Sequence, residues 1–147
     1  MLHFEGDRDI AKPPAEVCAR LSDARFLVRC IPNAEITGEP TPTTAECKVR
    51  PGLSFVRGTL VVTLRVEEAV EPSSVRLGLD SKGIGASSMV EAILAIAAHE
   101  GGSRVHWTAD VKSLGGLLKL VPQGLIRGAA QSVINDVWAQ VEKEIIT

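Results

Sequence analysis

The middle of the chain alternates between apolar and polar residues, and this period of two is typical of β-strands with one buried face. In the segment 59–66, leucine or valine occupies every even-numbered position, whereas threonine, valine or arginine occupies the odd ones. Residues 87–99 are apolar on both faces and end before the turn-forming pair Gly101 and Gly102. Seven antiparallel strands are predicted, at 3–10, 34–38, 46–50, 59–66, 75–80, 87–99 and 104–111.

Two short helices are predicted between the first and second strands. Pro13 and Pro14 are typical of a first helical turn, and Val17 with Leu21 gives an apolar stripe at helical spacing. Asp23 then fits the N-cap of a second short helix, because its carboxylate can accept a free backbone N–H.

A long helix is predicted at the C-terminal end. Pro122 lacks an amide hydrogen, so the uninterrupted helix is expected to begin near it and to run to Ile146. The predicted apolar stripe is Leu118, Val121, Leu125, Ala129, Val133, Val137, Val141 and Ile145.

This order of elements predicts an α+β domain spanning residues 1–147, in which a curved antiparallel sheet wraps around the last helix. If small side chains leave the space between sheet and helix unfilled, an apolar ligand pocket results. The alternative is that the same residues pack against one another as a core. The predicted wall is Cys47, Val49, Leu60, Val62, Leu64, Val75, Leu77, Leu79, Val90, Ala92, Leu94, Val105, Trp107 and Ala109, capped by Leu118, Val121, Leu125, Ile126 and Ala129.

Charge and composition argue against nucleic acid and membrane-spanning classes. Both signs of charge are interleaved and the formal net charge is −2, so there is no basic field to attract nucleic acid. The N-terminal residues include acids where a signal peptide needs an apolar region. The longest apolar run, 92–98, is far shorter than a transmembrane helix, so a soluble, cytoplasmic protein is expected.

The cysteines Cys18, Cys30 and Cys47 are odd in number and lack metal-ligand spacing, so neither a disulfide framework, a metal site nor a cofactor is indicated. Cys30 begins the segment CIPNAE, in which Pro32 ends a helix and Asn33 tolerates a left-handed backbone. This segment is interpreted as a corner between helix and sheet, with a residue at the mouth of the cavity as the alternative.

An enzyme would need ionisable residues that face the substrate, and the alternation provides no inward pair. Glu91, His106 and Asp110 fall on the outer face, and His99 lies beside the Gly101 turn. The glycines in the segment 82–85 lack the further residues of a phosphate-binding loop and are interpreted as a strand connection. The polar candidates weighed are His3, Glu5, Glu91, His99, His106 and Asp110.

Five short motifs in this order resemble the carbon monoxide dehydrogenase CoxG branch of the START-like, Bet v 1-like (SRPBCC) helix-grip superfamily. They are CIPNAE at 30–35, VRGTL at 56–60, KGIGASS at 82–88, GGSRVHWTADV at 101–111 and GLIRGAAQSV at 124–133. The resemblance extends from about Phe4 to Glu144. It departs from the family at Asn33, where glycine is usual, and at Thr147, where the chain ends without the C-terminal extension that some members use for membrane attachment.

The resemblance implies a protein that binds an apolar ligand, lipid or quinone-like, and serves a carbon monoxide dehydrogenase or other molybdenum hydroxylase without carrying the metal. Some members recruit such enzymes to a membrane, so a peripheral membrane location is one expectation. A cyclase or hydrolase of the same superfamily and a ligand-free interaction module are the alternatives. The ligand is expected to enter near the 53–56 and 113–120 loops, whose glycines permit opening.

The strand 87–99 also suggests a contact surface. Ile93, Ala95 and Ala97 occupy the face that should meet water, and an apolar outer face is either covered or offered to a partner. A homodimer or partner interface is therefore predicted around Ile93 and Ala95, extending to Val61.

Overall fold

One antiparallel sheet of seven strands forms the body of the protein. The computed structural model describes residues 2–50 and 58–146. The sheet order is β1-β7-β6-β5-β4-β3-β2, so each strand from β2 onward lies beside its sequence neighbour and β1 closes the order beside β7. The strands are β1 (His3–Ile10), β2 (Ala34–Thr37), β3 (Thr44–Val49), β4 (Leu60–Val70), β5 (Ser74–Gly83), β6 (Ala86–His99) and β7 (Gly102–Gly116). The predicted α+β architecture with a curved seven-stranded sheet is confirmed.

Two short helices, α1 (Pro14–Leu21) and α2 (Ala24–Arg29), connect β1 to β2. The carboxylate of Asp23 accepts the backbone N–H of Arg25 at 2.9 Å and caps α2 as predicted. Their inner residues are buried because the two helices cover one end of the sheet; these residues are Val17, Cys18, Leu21, Ala24, Phe26, Leu27 and Val28.

The chain leaves β7 through one turn of 3₁₀ helix (Leu117–Leu120) and then enters the long helix α3 (Gln123–Ile146). The carbonyl of Pro122 accepts the N–H groups of Leu125 and Ile126 at 3.0 and 3.3 Å. Proline therefore restarts the helix, as the sequence predicts, and α3 extends for about 36 Å.

Strand β7 is longer than the alternation predicts. Residues 112–116 continue the pairing with β6 after a bulge opposite Met89 and Val90, and Gly116 lies across from Ala86. Gly116 has a φ of 59°, and a Cβ there would overlap the carbonyl oxygen of Gly85. Only glycine fits this close approach, which joins the end of β7 to the β5–β6 connection.

Candidate functional site

The sheet has one apolar face, called here the concave face, which is turned toward α3. Its residues lie directly across from one another in neighbouring strands: Leu64 pairs with Leu79, Leu79 with Val90, and Val90 with Val111. The opposite, outer face carries most of the charged side chains. The alternation of the strands therefore separates an apolar wall from a charged surface.

One end of the concave face, called the closed end, is packed tightly. Leu64, Leu77, Leu94 and Val105 have at most 6% of their surface exposed. The second half of α3 covers this end with buried side chains at three positions, Trp138, Val141 and Ile145. Among the predicted wall residues, those of the closed end are Cys47, Leu64, Val75, Leu77, Leu94, Val105 and Trp107, and they form part of the hydrophobic core.

The other end, called the open end, is apolar but only half-buried. On the sheet this is true of Val49, Leu60, Val62, Leu79, Val90, Ala92 and Ala109, and on the first half of α3 of Ile126, Ala130 and Ile134. A sheet and a helix in direct contact would bury such side chains almost completely. The partial exposure indicates that solvent-sized molecules reach the apolar wall between them.

Trp107 and Trp138 meet at the closed end, with ring centroids 6.3 Å apart. Trp107 lies over Gly6 of β1, where a Cβ would come within 3.1 Å of the indole ring. The indole Nε1 of Trp107 is buried and has no hydrogen-bond partner among the described residues. Gly6 therefore makes room for the ring, and the N–H remains available to an acceptor.

A polar pair interrupts the apolar wall and was not predicted from the sequence. Ser81 of β5 and Ser88 of β6 lie across from each other on the concave face, and their Oγ atoms are 2.5 Å apart. Both serines are half-buried, at the open end. The signal was present, because Ser81 is in phase with Leu79 and Ser88 is in phase with Val90.

The expectation that no ionisable pair faces inward is wrong at one position. Arg8 shares the face of Phe4 and Ile10 on β1, and its Nη1 lies 3.6 Å from Oε1 of Glu142 on α3. Both side chains are about 30% exposed, so the pair is a modest tether between helix and edge strand. An arginine with one partly exposed glutamate does not form an acid and base pair, and no catalytic role follows.

The predicted inner stripe of the long helix is shifted by about one residue over its first half. Leu125 is 54% exposed and Val133 is 48% exposed. Ile126, Ala130 and Ile134 face the sheet instead. The stripe was extended from residues 118 and 121, which precede Pro122 and belong to a different turn, so its phase does not carry into α3. Leu118, Val121 and Ala129 are half-buried.

The predicted mouth changes in one of its two parts. The segment 113–120 is not a loop, because it contains the end of β7 and the 3₁₀ turn. Leu117 and Leu120 of that turn are 48% and 81% exposed, which leaves apolar surface beside the open end. The other part, 53–56, lies outside the described residues.

The polar candidates lie away from the concave face. His3 hydrogen bonds through Nδ1 to Asp110 at 2.5 Å and through Nε2 to Glu5 at 2.9 Å, and these bonds raise its pKa above the usual value. His106 bonds to Asp7. The outward placement of Glu91, His106 and Asp110 is confirmed, with Glu91 beside Arg76 and His99 beside Glu100.

Ile93 and Ala95 are exposed on the outer face, and Ile93 lies between Arg76 of β5 and Thr108 of β7. Val61 pairs with Lys82, which is six residues, or about 20 Å, along β5 from Arg76. The ion pairs of Arg65 with Asp80 and Glu67, and of Arg76 with Glu67, Glu68 and Glu91, occupy the space between. Val61 is therefore not continuous with the apolar patch at Ile93.

Contact between two copies at Ile93 stays a prediction. We expect the wild type to have twice the 15.6 kDa mass of the chain and Ile93→Glu to have the single mass, because a buried unpaired carboxylate opposes association. Size-exclusion chromatography with light scattering measures both masses. Met89→Glu, at an exposed position on the same strand and face, is the control. The same monomer mass for wild type and Ile93→Glu would contradict the prediction.

The CIPNAE segment is a corner. Cys30 caps α2, Asn33 has a φ of 57°, and β2 begins at Ala34. Cys30 is 1% exposed, and burial raises the pKa of its thiol to about 11. Burial also raises the pKa values of Cys18 and Cys47. A thiol that stays protonated is a poor nucleophile, so a catalytic cysteine is not supported at this corner.

All three cysteines are expected to resist thiol reagents in the folded protein. Ellman's reagent at pH 8 should react with them only after denaturation, because each is buried and carries a raised pKa. Ser73→Cys, at an exposed turn position, is the positive control and should react at once. A fast-reacting thiol in the native wild type would show that one of the three is accessible.

Two surface grooves lie outside the concave face. One, of about 500 Å³, separates the corner from α3 and is lined by residues that include Arg29, Pro32 and Lys143. The other, of about 550 Å³, lies beside α2 and includes Arg20 and Arg25. Both are open and bordered by charged side chains, so they offer less apolar enclosure than the open end of the sheet.

Two kinds of feature are absent from residues 2–50 and 58–146. No group of three or more His, Cys, Asp or Glu side chains arranged to hold a metal ion is found there. None of the helices in that part of the chain has both the length and the apolar character needed to cross a membrane.

Solved structures with the same fold define the class of protein. A conserved protein from Geobacillus kaustophilus has a TM-score of 0.84 at 19% identity, covering 99% of this chain and 95% of its own. A START superfamily protein from Mycobacterium smegmatis has a TM-score of 0.68 at 11% identity, covering 97% and 96%. Ara h 8.0201 has a TM-score of 0.64 at 15% identity, covering 99% and 97%. The fold is therefore the START-like, Bet v 1-like helix-grip fold.

The family follows from the sequence itself. The model of the carbon monoxide dehydrogenase CoxG family matches residues 6–146. No curated protein matches the chain. The chain belongs to the CoxG family, as its five motifs predict.

Proposed function

We propose that this protein binds an apolar molecule, lipid or quinone-like, between the open end of the sheet and the first half of α3. The observation that carries the proposal is the row of half-buried apolar side chains that face each other across this space, such as Val62 and Val90 on the sheet and Ile134 on the helix. The helix-grip fold is generally associated with ligand binding, which supports the same interpretation.

The chemistry of the wall favours binding over catalysis. Its aliphatic side chains cannot activate water or stabilise a developing charge, but they can replace water around a hydrocarbon. Burial of roughly 300 Å² of apolar ligand surface contributes about 7 kcal/mol at ~25 cal/mol per Å². After the cost of association, this is enough for micromolar binding to a preformed site.

The closed end supports such a site by keeping its shape. Trp107, Trp138 and Val141 are buried and hold the second half of α3 on the sheet. The first half of α3 and the 3₁₀ turn are less buried, so this part of the molecule can move with a smaller loss of apolar contact. Ligand entry and release take place there, beside Leu117 and Leu120.

An accessory role toward a carbon monoxide dehydrogenase or another molybdenum hydroxylase is the second part of the proposal. It rests on the name of the family and on the separation of the two faces, since the charged outer face stays free for protein contact while a ligand occupies the concave face. Affinity capture from cells that express such an enzyme should retain the enzyme on the wild-type protein. No retention would remove the accessory role and leave ligand binding unaffected.

Titration with N-phenyl-1-naphthylamine, a neutral probe that fluoresces in apolar surroundings, tests the binding proposal. A saturable signal with one site per chain, displaced by long-chain lipids or quinones, is the expected result. A probe signal that does not saturate, or that no lipid or quinone displaces, would contradict a defined apolar site.

A further inference from the structure

The serine pair at the open end has hydrogen-bonding capacity to spare. Two hydroxyl groups carry two O–H donors, and the Ser81–Ser88 hydrogen bond uses one of them. No other hydrogen bond to either hydroxyl occurs among the described residues. One donor and several lone pairs therefore remain in a half-buried position, surrounded by the apolar side chains of Val62, Leu79 and Val90.

The charge of the wall limits what this donor can bind. In the part of the chain that the structure describes, Arg8 is the charged side chain on the concave face of the sheet, and Glu142 already pairs with it. Arg8 lies level with Ile96, eight residues and about 26 Å along β6 from Ser88. A carboxylate or phosphate beside the serines would lose its hydration without gaining a counter-charge.

We infer that the Ser81–Ser88 pair is a subsite for a neutral oxygen acceptor, such as a ketone or quinone carbonyl, on an otherwise apolar ligand. The acceptor takes the spare O–H of the pair, and the remainder of the ligand lies along Val90, Ala92 and Ala109. This inference rests on the proposed function, because it assigns the orientation and polar group of the ligand bound at the same site.

Two naphthalenes of the same shape test the inference. 2-Acetylnaphthalene carries a carbonyl acceptor and 2-ethylnaphthalene does not; each competes with N-phenyl-1-naphthylamine for wild type, for Ser81→Ala/Ser88→Ala and for Ser87→Ala. Both hydroxyls are removed together because a single change would leave the other without its partner. Ser87 lies between them in sequence but on the outer face, so it is the matched control.

The double variant should bind 2-acetylnaphthalene about two- to tenfold more weakly, while its affinity for 2-ethylnaphthalene and the behaviour of Ser87→Ala stay unchanged. 2-Naphthoate, the anionic analogue, should bind wild type more weakly than the ketone. Equal effects on ketone and hydrocarbon, or no effect, would overturn the serine subsite while wild-type binding still supports the apolar site. If wild type takes up neither naphthalene, the proposed function fails and the subsite fails with it. Unchanged circular dichroism and urea midpoint confirm that the variants are folded.

Discussion

Ala92→Trp is expected to lower the affinity for N-phenyl-1-naphthylamine by at least about 100-fold while the protein stays folded. Ala92 lies in the middle of the concave face, between Leu77 of β5 and Ala109 of β7, and it is half-buried. An indole at this position occupies the space proposed for the ligand. Loss of even half of the ~7 kcal/mol from apolar burial exceeds two orders of magnitude in affinity.

Ala95→Trp provides the matched control, because Ala95 is on the same strand but exposed on the outer face. It adds the same side chain without entering the space between sheet and helix, so its affinity should equal that of wild type. Fluorescence titration measures both variants, and far-ultraviolet circular dichroism checks their fold. Undiminished binding by Ala92→Trp would place the ligand elsewhere on the molecule.

Trp107→Ala is expected to destabilise the protein by about 3–5 kcal/mol, a large part of the stability of a domain of this size. The side chain is 5% exposed and packs against Trp138 and over Gly6. Its removal leaves a cavity where the second half of α3 is held on the sheet. Urea unfolding followed by circular dichroism measures the change in the free energy of unfolding.

His106→Ala is the control for that measurement. His106 is adjacent to Trp107, but it is exposed on the outer face, where its Nδ1 lies 2.9 Å from a carboxylate oxygen of Asp7. An exposed pair of this kind contributes at most about 1 kcal/mol. A cost below about 1 kcal/mol for Trp107→Ala would mean that the closed end does not hold the helix as described.

The sheet could be predicted from the sequence because its signal is local. Alternation along one strand reports directly on which face is buried, so all seven strands and the outward position of Glu91, His106 and Asp110 are found from their own residues. The end of β7 was missed because residues 112–116 pair only through a bulge and a glycine contact with Gly85. Such pairing depends on the partner strand and not on the segment's own pattern.

The site was harder to predict than the fold. Sequence gives the face of a residue but not how closely the opposite element approaches, so Leu77 in the core and Leu79 in the half-buried wall look alike. The phase of α3 depends on where the helix restarts after Pro122, which the residues before it do not reveal. The serine pair and the Arg8–Glu142 pair were visible in the alternation of their strands, but an apolar wall was assumed before polar residues in phase with it were sought.

The most direct test of an apolar ligand site is native mass spectrometry of the protein purified gently from cells, followed by organic extraction of whatever it carries. We expect a mass above that of the bare chain, which falls to the chain mass on extraction and releases one neutral, largely apolar molecule per chain. A bare mass that persists after incubation with lipids and quinones would contradict the apolar site and direct attention to the outer face around Ile93.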